Sequence, residues 1–142
     1  MRVTFASGEF LNVTAKCVDY GVRFPNTDKN DRTLHNKFRC TIYNPETKAK
    51  MGLTWYGSHN DFMTGKDEID KDIALSIVYA AASDASCYDC TRDFEDFCSE
   101  FGYSDDSIRA LRIYKGCKRI SEGWARVSNG LTEETLDEIR NY

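Results

Sequence analysis

The sequence predicts an α+β fold, with an N-terminal antiparallel β-sheet made of two hairpins packed against three to four C-terminal helices. Two observations carry that prediction: apolar residues recur at every second position in the strand segments of the first part of the chain, and with a period near 3.6 from about Asp70. The chain has 142 residues, of which 41% are hydrophobic and 13% aromatic. That is enough to bury a core in one domain over residues 1–142, with a β-rich part over 1–57 and a helical part over 67–142.

In the first hairpin Val3 and Phe5 alternate, Ser7-Gly8-Glu9 turns the chain, and Leu11, Val13, Ala15 and Cys17 point one way while Asn12, Thr14 and Lys16 point the other. In the second, Phe38, Cys40 and Ile42 alternate with Arg39, Thr41 and Tyr43. Asn44-Pro45-Glu46-Thr47 then turns the chain into Ala49, Met51, Leu53 and Trp55. Pro45 fixes φ at the second turn position and Asn44 can bond the turn backbone. Two-faced strands of this kind suit a sheet with one side wet. Between the hairpins, Pro25 to Lys37 reads as a long polar loop, of a kind that is usually functional or mobile. A shorter loop, Gly57 to Asp61, leads towards the helices.

In the first helix, from about Asp70, Ile69, Ile73, Ile77 and Ala80 or Ala81 share a face. Asp67, Asp70 and Asp72 lie near its amino end, where the helix dipole favours negative charge. Thr91 or Asp93 can cap a second helix, in which Phe94, Phe97, Cys98 and Phe101 fall at i, i+3, i+4 and i+7. Gly102 ends it and Ser104 is placed to cap a third. In that third helix Ala110, Ile113, Tyr114, Cys117, Ile120, Trp124 and Val127 fill an arc of roughly 140° that calls for burial. Arg112, Lys115, Arg119 and Arg126 line its far side within roughly 60°. Gly116 and Gly123 weaken the helix and allow a close approach by a neighbour. Thr132 caps a last short helix, with Leu131 and Leu136 spaced as a hydrophobic staple.

Charge is distributed in blocks. Asp67 to Asp106 carries twelve acidic residues against two basic ones, and Ser107 to Val127 carries six basic against one acidic. The net charge of −4 divides into +4 over residues 1–66 (ten basic, six acidic) and −8 over 67–142 (nine basic, seventeen acidic). Such a balance argues against a general polyanion binder and for a surface that steers a partner.

No catalytic signature accompanies it. With two histidines, His35 and His59, both in polar loops, and no Gly-x-Ser-x-Gly, His-Glu-x-x-His or phosphate-binding loop, the chain reads as a non-enzyme without a cofactor. Cys87-Tyr88-Asp89-Cys90 has CxxC spacing, and Cys98 and Cys117 could add two thiolates, but a second CxxC is missing and the thiols read as buried or idle, with no metal site. The six cysteines are expected to be reduced. The carboxylates lack the spacing of a calcium loop. The longest nearly apolar run, Ala74 to Ala82, is too short for a bilayer, and no signal peptide opens the chain, so a soluble cytoplasmic protein without a membrane segment is expected.

The run from Phe94 to Ser107, Phe-Glu-Asp-Phe-Cys-Ser-Glu-Phe-Gly-Tyr-Ser-Asp-Asp-Ser, followed by Ile113-Tyr114-Lys115-Gly116-Cys117-Lys118, resembles a family of small accessory proteins encoded by bacteriophages and prophages. Ser104 stands where that family more often has Asp. The resemblance implies phage origin and, since accessory genes of this type often encode inhibitors of host defence, a stoichiometric inhibitor such as an anti-CRISPR protein. On that reading Asp89, Asp93, Glu95, Asp96, Glu100, Asp105 and Asp106 imitate phosphate charge and, with the Pro25 to Lys37 loop, dock on a bacterial immune effector complex, a CRISPR-Cas nuclease or its guide complex. The alternative is a nucleic-acid or nucleotide-signal binding protein built on Arg112, Lys115, Arg119 and Arg126. The long amphipathic helix also admits a homodimer.

Overall fold

Four strands, β1 (Arg2–Thr4), β2 (Phe10–Arg23), β3 (Leu34–Asn44) and β4 (Ala49–Ser58), pair antiparallel in the order β1-β2-β3-β4 in a computed structural model. The structure describes residues 1–25, 29–58, 69–87 and 93–142. The alternation of the sequence becomes the two faces of this sheet. Val3, Leu11, Val13, Phe38 and Ile42 are fully buried on one side, whereas Thr14, Lys16, Arg39 and Thr54 are exposed on the other.

Both expected turns form. Between β1 and β2 the Phe5 N–H donates to the Glu9 carbonyl at 2.8 Å and the Gly8 N–H to the Phe5 carbonyl at 2.9 Å. Between β3 and β4 the Asn44 side-chain oxygen accepts from the Glu46 N–H at 3.1 Å, and the Lys48 N–H closes the turn on the Asn44 carbonyl at 2.8 Å. Lys48 takes the left-handed conformation there, with φ 61°.

The hairpins are not separated by a loop running to Lys37. β2 and β3 pair from Asn12 opposite Tyr43 to Arg23 opposite Leu34, so Leu34 to Lys37 belong to a strand and the connection shrinks to residues 24–33. Two features hid this pairing. The register shifts between Cys17 and Asp19 and again between Asp19 and Val22, which breaks the period of two. Asn36 then sits inside, 1% exposed, where its side-chain oxygen accepts the Gly21 N–H at 3.1 Å and satisfies a donor at the irregular stretch.

The helices are α1 (Lys71–Cys87), α2 (Phe94–Phe101), α3 (Ile108–Ser128) and α4 (Glu133–Arg140). α1 and α3 cover the apolar face of the sheet, and α4 packs beside α1. The Asp70 carboxylate accepts the Ile73 N–H at 2.8 Å, an N-cap bond at the start of α1. Its buried side is Ala74, Ile77, Val78 and Ala81, with Ile69 just ahead; Ile73 is only half-buried. Ser104 does not cap the third helix. Ser107 does, its hydroxyl accepting the Ala110 N–H at 3.1 Å, while the Ser104 hydroxyl is spent on Asp106.

The apolar arc of α3 is not buried along its whole length. Ala110 and Val127 are fully enclosed, but Ile113, Tyr114, Cys117, Ile120 and Trp124 are half-buried. The reason is that two different neighbours share the helix. Its carboxyl half lies on β4 and α1, and among the described residues its amino half packs against short α2, in a second apolar cluster of Phe97, Cys98 and Ala110 flanked by Phe94, Ile113 and Tyr114. Among the described residues no helix is long and apolar enough to cross a membrane.

Candidate binding surfaces

Helix α2 presents the acidic residues. Its start is fixed by Asp93, whose carboxylate accepts the Asp96 N–H at 2.8 Å, and its end by Gly102, which adopts φ 74° as the Tyr103 N–H bonds the Cys98 carbonyl at 2.9 Å. Phe97 packs against the rings of Phe101, Tyr103 and Tyr114, with centroids 4.9, 5.9 and 5.4 Å away. That apolar side faces α3. Glu95, Asp96 and Glu100 therefore fall on the opposite side and are exposed, and Asp105 and Asp106 extend the acidic surface through the following turn.

The seven carboxylates expected to act together are not equivalent. Asp93 is tied to its own helix as the cap, and Asp106 accepts the Ser104 hydroxyl. Asp89 lies outside the described residues, as do His59, Cys90, Asp67 and Thr91. Cys98 lies beneath the acidic surface, where burial, and secondarily the negative charge of Asp105, pushes its thiol up.

On α3, Arg112, Lys115, Arg119 and Arg126 are all exposed, on the side away from the half-buried arc. Beside them Lys118 pairs with Glu122 at 4.0 Å one turn on, and its ammonium lies 6.0 Å from the Tyr114 ring. The stripe thus forms as the sequence implies. Of the two α3 glycines, Gly123 lies against Met51, whereas a Cβ on Gly116 would meet nothing within 4 Å.

Sequence reasoning missed a groove of about 440 Å³ between α1, α3 and α4, lined by Tyr79, Ala82, Ser86, Trp124, Leu136 and Arg140 among others. It is of the size of a small-ligand cleft and mostly apolar. Its walls come from three separate helices and exist only once these pack together, so no local pattern announces it. Arg140 at its rim is engaged by Asp137 at 2.7 Å and Glu133 at 3.8 Å.

None of the described thiols, Cys17, Cys40, Cys98 and Cys117, is in a disulfide. Among the described residues no group of three or more His, Cys, Asp or Glu side chains is placed to hold a metal ion. No family model, curated protein or solved structure matches this chain. The molecule offers three surfaces: an acidic helix locked at both ends, a basic helix stripe, and the open face of a sheet.

Proposed function

We propose that this protein is a stoichiometric inhibitor that works by occlusion. It lays the exposed carboxylates of α2 and the turn after it on a basic nucleic-acid channel of a bacterial immune effector complex in the host cytoplasm, a CRISPR-Cas nuclease or its guide complex. The observation that supports this reading is the rigid placement of Glu95, Asp96 and Glu100 on a helix whose other side is fixed to α3. Charges held on a capped helix compete for arginines and lysines without a further cost of ordering the backbone. The likeness of Phe94 to Ser107 to phage accessory proteins points the same way.

The test is capture of candidate effector complexes by the immobilised protein. Glu95→Lys with Asp96→Lys is expected to abolish capture, and undiminished capture would refute the acidic-surface mechanism. Asp93 is left intact in that experiment because reversing its charge would unseat the helix itself.

A second reading, a nucleic-acid or nucleotide-signal binder acting through α3, draws on the common exposure of Arg112, Lys115, Arg119 and Arg126. Binding of a cyclic dinucleotide or short oligonucleotide that is lost in Arg112→Glu with Lys115→Glu would favour it.

A further inference from the structure

Among the described residues the helices cover one face of the sheet and none packs on the other. Register places its outward side chains in rows across the strands. Arg2 and Asn12 are followed by Tyr43 and Lys50; Thr14 by Thr41 and Gly52; Lys16 by Arg39 and Thr54; Asp19 by Lys37 and Tyr56. These outward positions carry five cations, Arg2, Lys16, Lys37, Arg39 and Lys50, against one carboxylate, Asp19. That inverts the balance of a chain with 23 acidic and 19 basic residues. Mere solubility would not require the inversion.

Aromatic rings are interleaved with these cations. Tyr43 lies between Asn12 and Lys50, and Tyr56 next to Lys37. Beyond them Phe24, 46% exposed, packs edge-on against Tyr56 at 5.1 Å and against His35 at 5.7 Å. Near β1 the Arg2 guanidinium sits 3.5 Å above the Phe10 ring. Gly52 keeps the middle row low, with no side chain to obstruct an approaching base.

We propose that this open face binds single-stranded nucleic acid, with Lys16, Lys37, Arg39 and Lys50 neutralising phosphates and Tyr43 and Tyr56 stacking on bases. The physical argument is complementarity of both kinds at once. Neighbouring strands stand about 4.8 Å apart and alternate residues on one strand about 7 Å apart. The sheet therefore holds cations and rings in a fixed lattice that an extended polyanion with flat bases can follow. Base stacking on a ring tolerates any sequence, and the phosphate contacts make the binding salt-dependent. The ordered strands lose little freedom on binding. This surface is distinct from the α3 stripe and from the α2 carboxylates, so the proposal stands or falls independently of the inhibitor reading.

The experiment is fluorescence anisotropy with labelled mixed-sequence single strands, DNA and RNA in separate arms, over a salt series. We expect binding by at least one of the two, with a logarithmic salt slope between about −2 and about −3.5 if three to five phosphates are neutralised. Lys16→Glu with Arg39→Glu should weaken it by about tenfold or more, and Tyr43→Ala or Tyr56→Ala by about fivefold or more each. Circular dichroism confirms that each variant is folded. Absence of binding near 0.1 M salt, loss only on Arg112→Glu with Lys115→Glu, or indifference to both tyrosine substitutions would each overturn the proposal. Capture of a protein by this face without oligonucleotide binding would overturn it too. Charge reversal at Glu95 and Asp96 is expected to leave oligonucleotide binding intact or strengthen it.

Discussion

Gly123 of α3 lies so close to β4 that a Cβ built on it would stand 2.9 Å from the Cβ of Met51. No real pair of such atoms approaches to that distance, so helix and strand meet here only because one of them lacks a side chain. Gly123→Ala is expected to push α3 off the sheet and to destabilise the protein by about 1–3 kcal/mol. Gly116→Ala, seven residues earlier on the same helix with space for a methyl, should stabilise it by about 0.5–1 kcal/mol. Urea denaturation of the two variants side by side measures both signs.

The Glu9 carboxylate closes the amino end of α4 from across the chain. It accepts the Thr132 N–H at 3.0 Å, the Thr132 hydroxyl at 2.7 Å and the Thr135 hydroxyl at 2.6 Å, and these bonds, the Thr135 one foremost, hold its pKa at about 2 against an ordinary 4.5. A carboxyl whose folded pKa is depressed stabilises the fold fully above its unfolded value and loses that contribution as pH falls through the folded value. Thermal melts of the protein and of Glu9→Gln should therefore differ most above pH 4.5, and the difference should shrink as pH drops towards 2. A constant gap across that range would contradict the role given to Glu9.

Asn44 joins the far end of β3 to α3. Its side-chain N–H donates to the Val127 carbonyl at 2.9 Å in a buried setting, 83 residues away in sequence. Asn44→Ala leaves that carbonyl unsatisfied and frees the turn, and a loss of about 1–3 kcal/mol is expected in chemical denaturation. Within the same turn Lys48 is held at φ 61°, a conformation that costs a side-chain-bearing residue about 1 kcal/mol. Lys48→Gly should recover much of that cost, and an unchanged or lowered midpoint would contradict it.

Thiol labelling should follow burial. Cys40, 1% exposed, has its thiol pushed up to about 12 by burial, and Cys98 is 3% exposed and raised in the same direction. Half-buried Cys17 and Cys117 are expected to react with iodoacetamide in the folded protein, while Cys40 and Cys98 react only in denaturant. Peptide mass spectrometry reads the order directly.

The strand pattern was legible where burial and alternation coincide, as at Leu11, Val13, Phe38 and Ile42, and the helix cap Thr132, with Asp93 as one of two candidates beside Thr91, was legible because capping is chemistry local to one turn. What escaped depends on distant partners. The outer half of β2 carries two register shifts that only pairing with β3 reveals, and buried Asn36 reads as a loop residue until Gly21 is set beside it. Ser104 and Ser107 are equally good caps on paper, and only the path of the chain after Gly102 chooses between them. The acidic and basic helix surfaces were visible as charge runs, but the sheet's outward cations were not. Lys16, Lys37, Arg39 and Lys50 are scattered over three strands and gather only through register.

The separation of the sheet's outward cations from the carboxylates of α2 has an electrical consequence. The open side of the sheet is positive, and α2, carried on the amino half of α3, is negative. A particle so divided has a permanent dipole moment, and a torque acts on it before any contact is made. Within a Debye length, about 8 Å at physiological ionic strength, it turns one end or the other towards a charged surface. Lowering the salt should then lengthen the range over which it arrives already aligned.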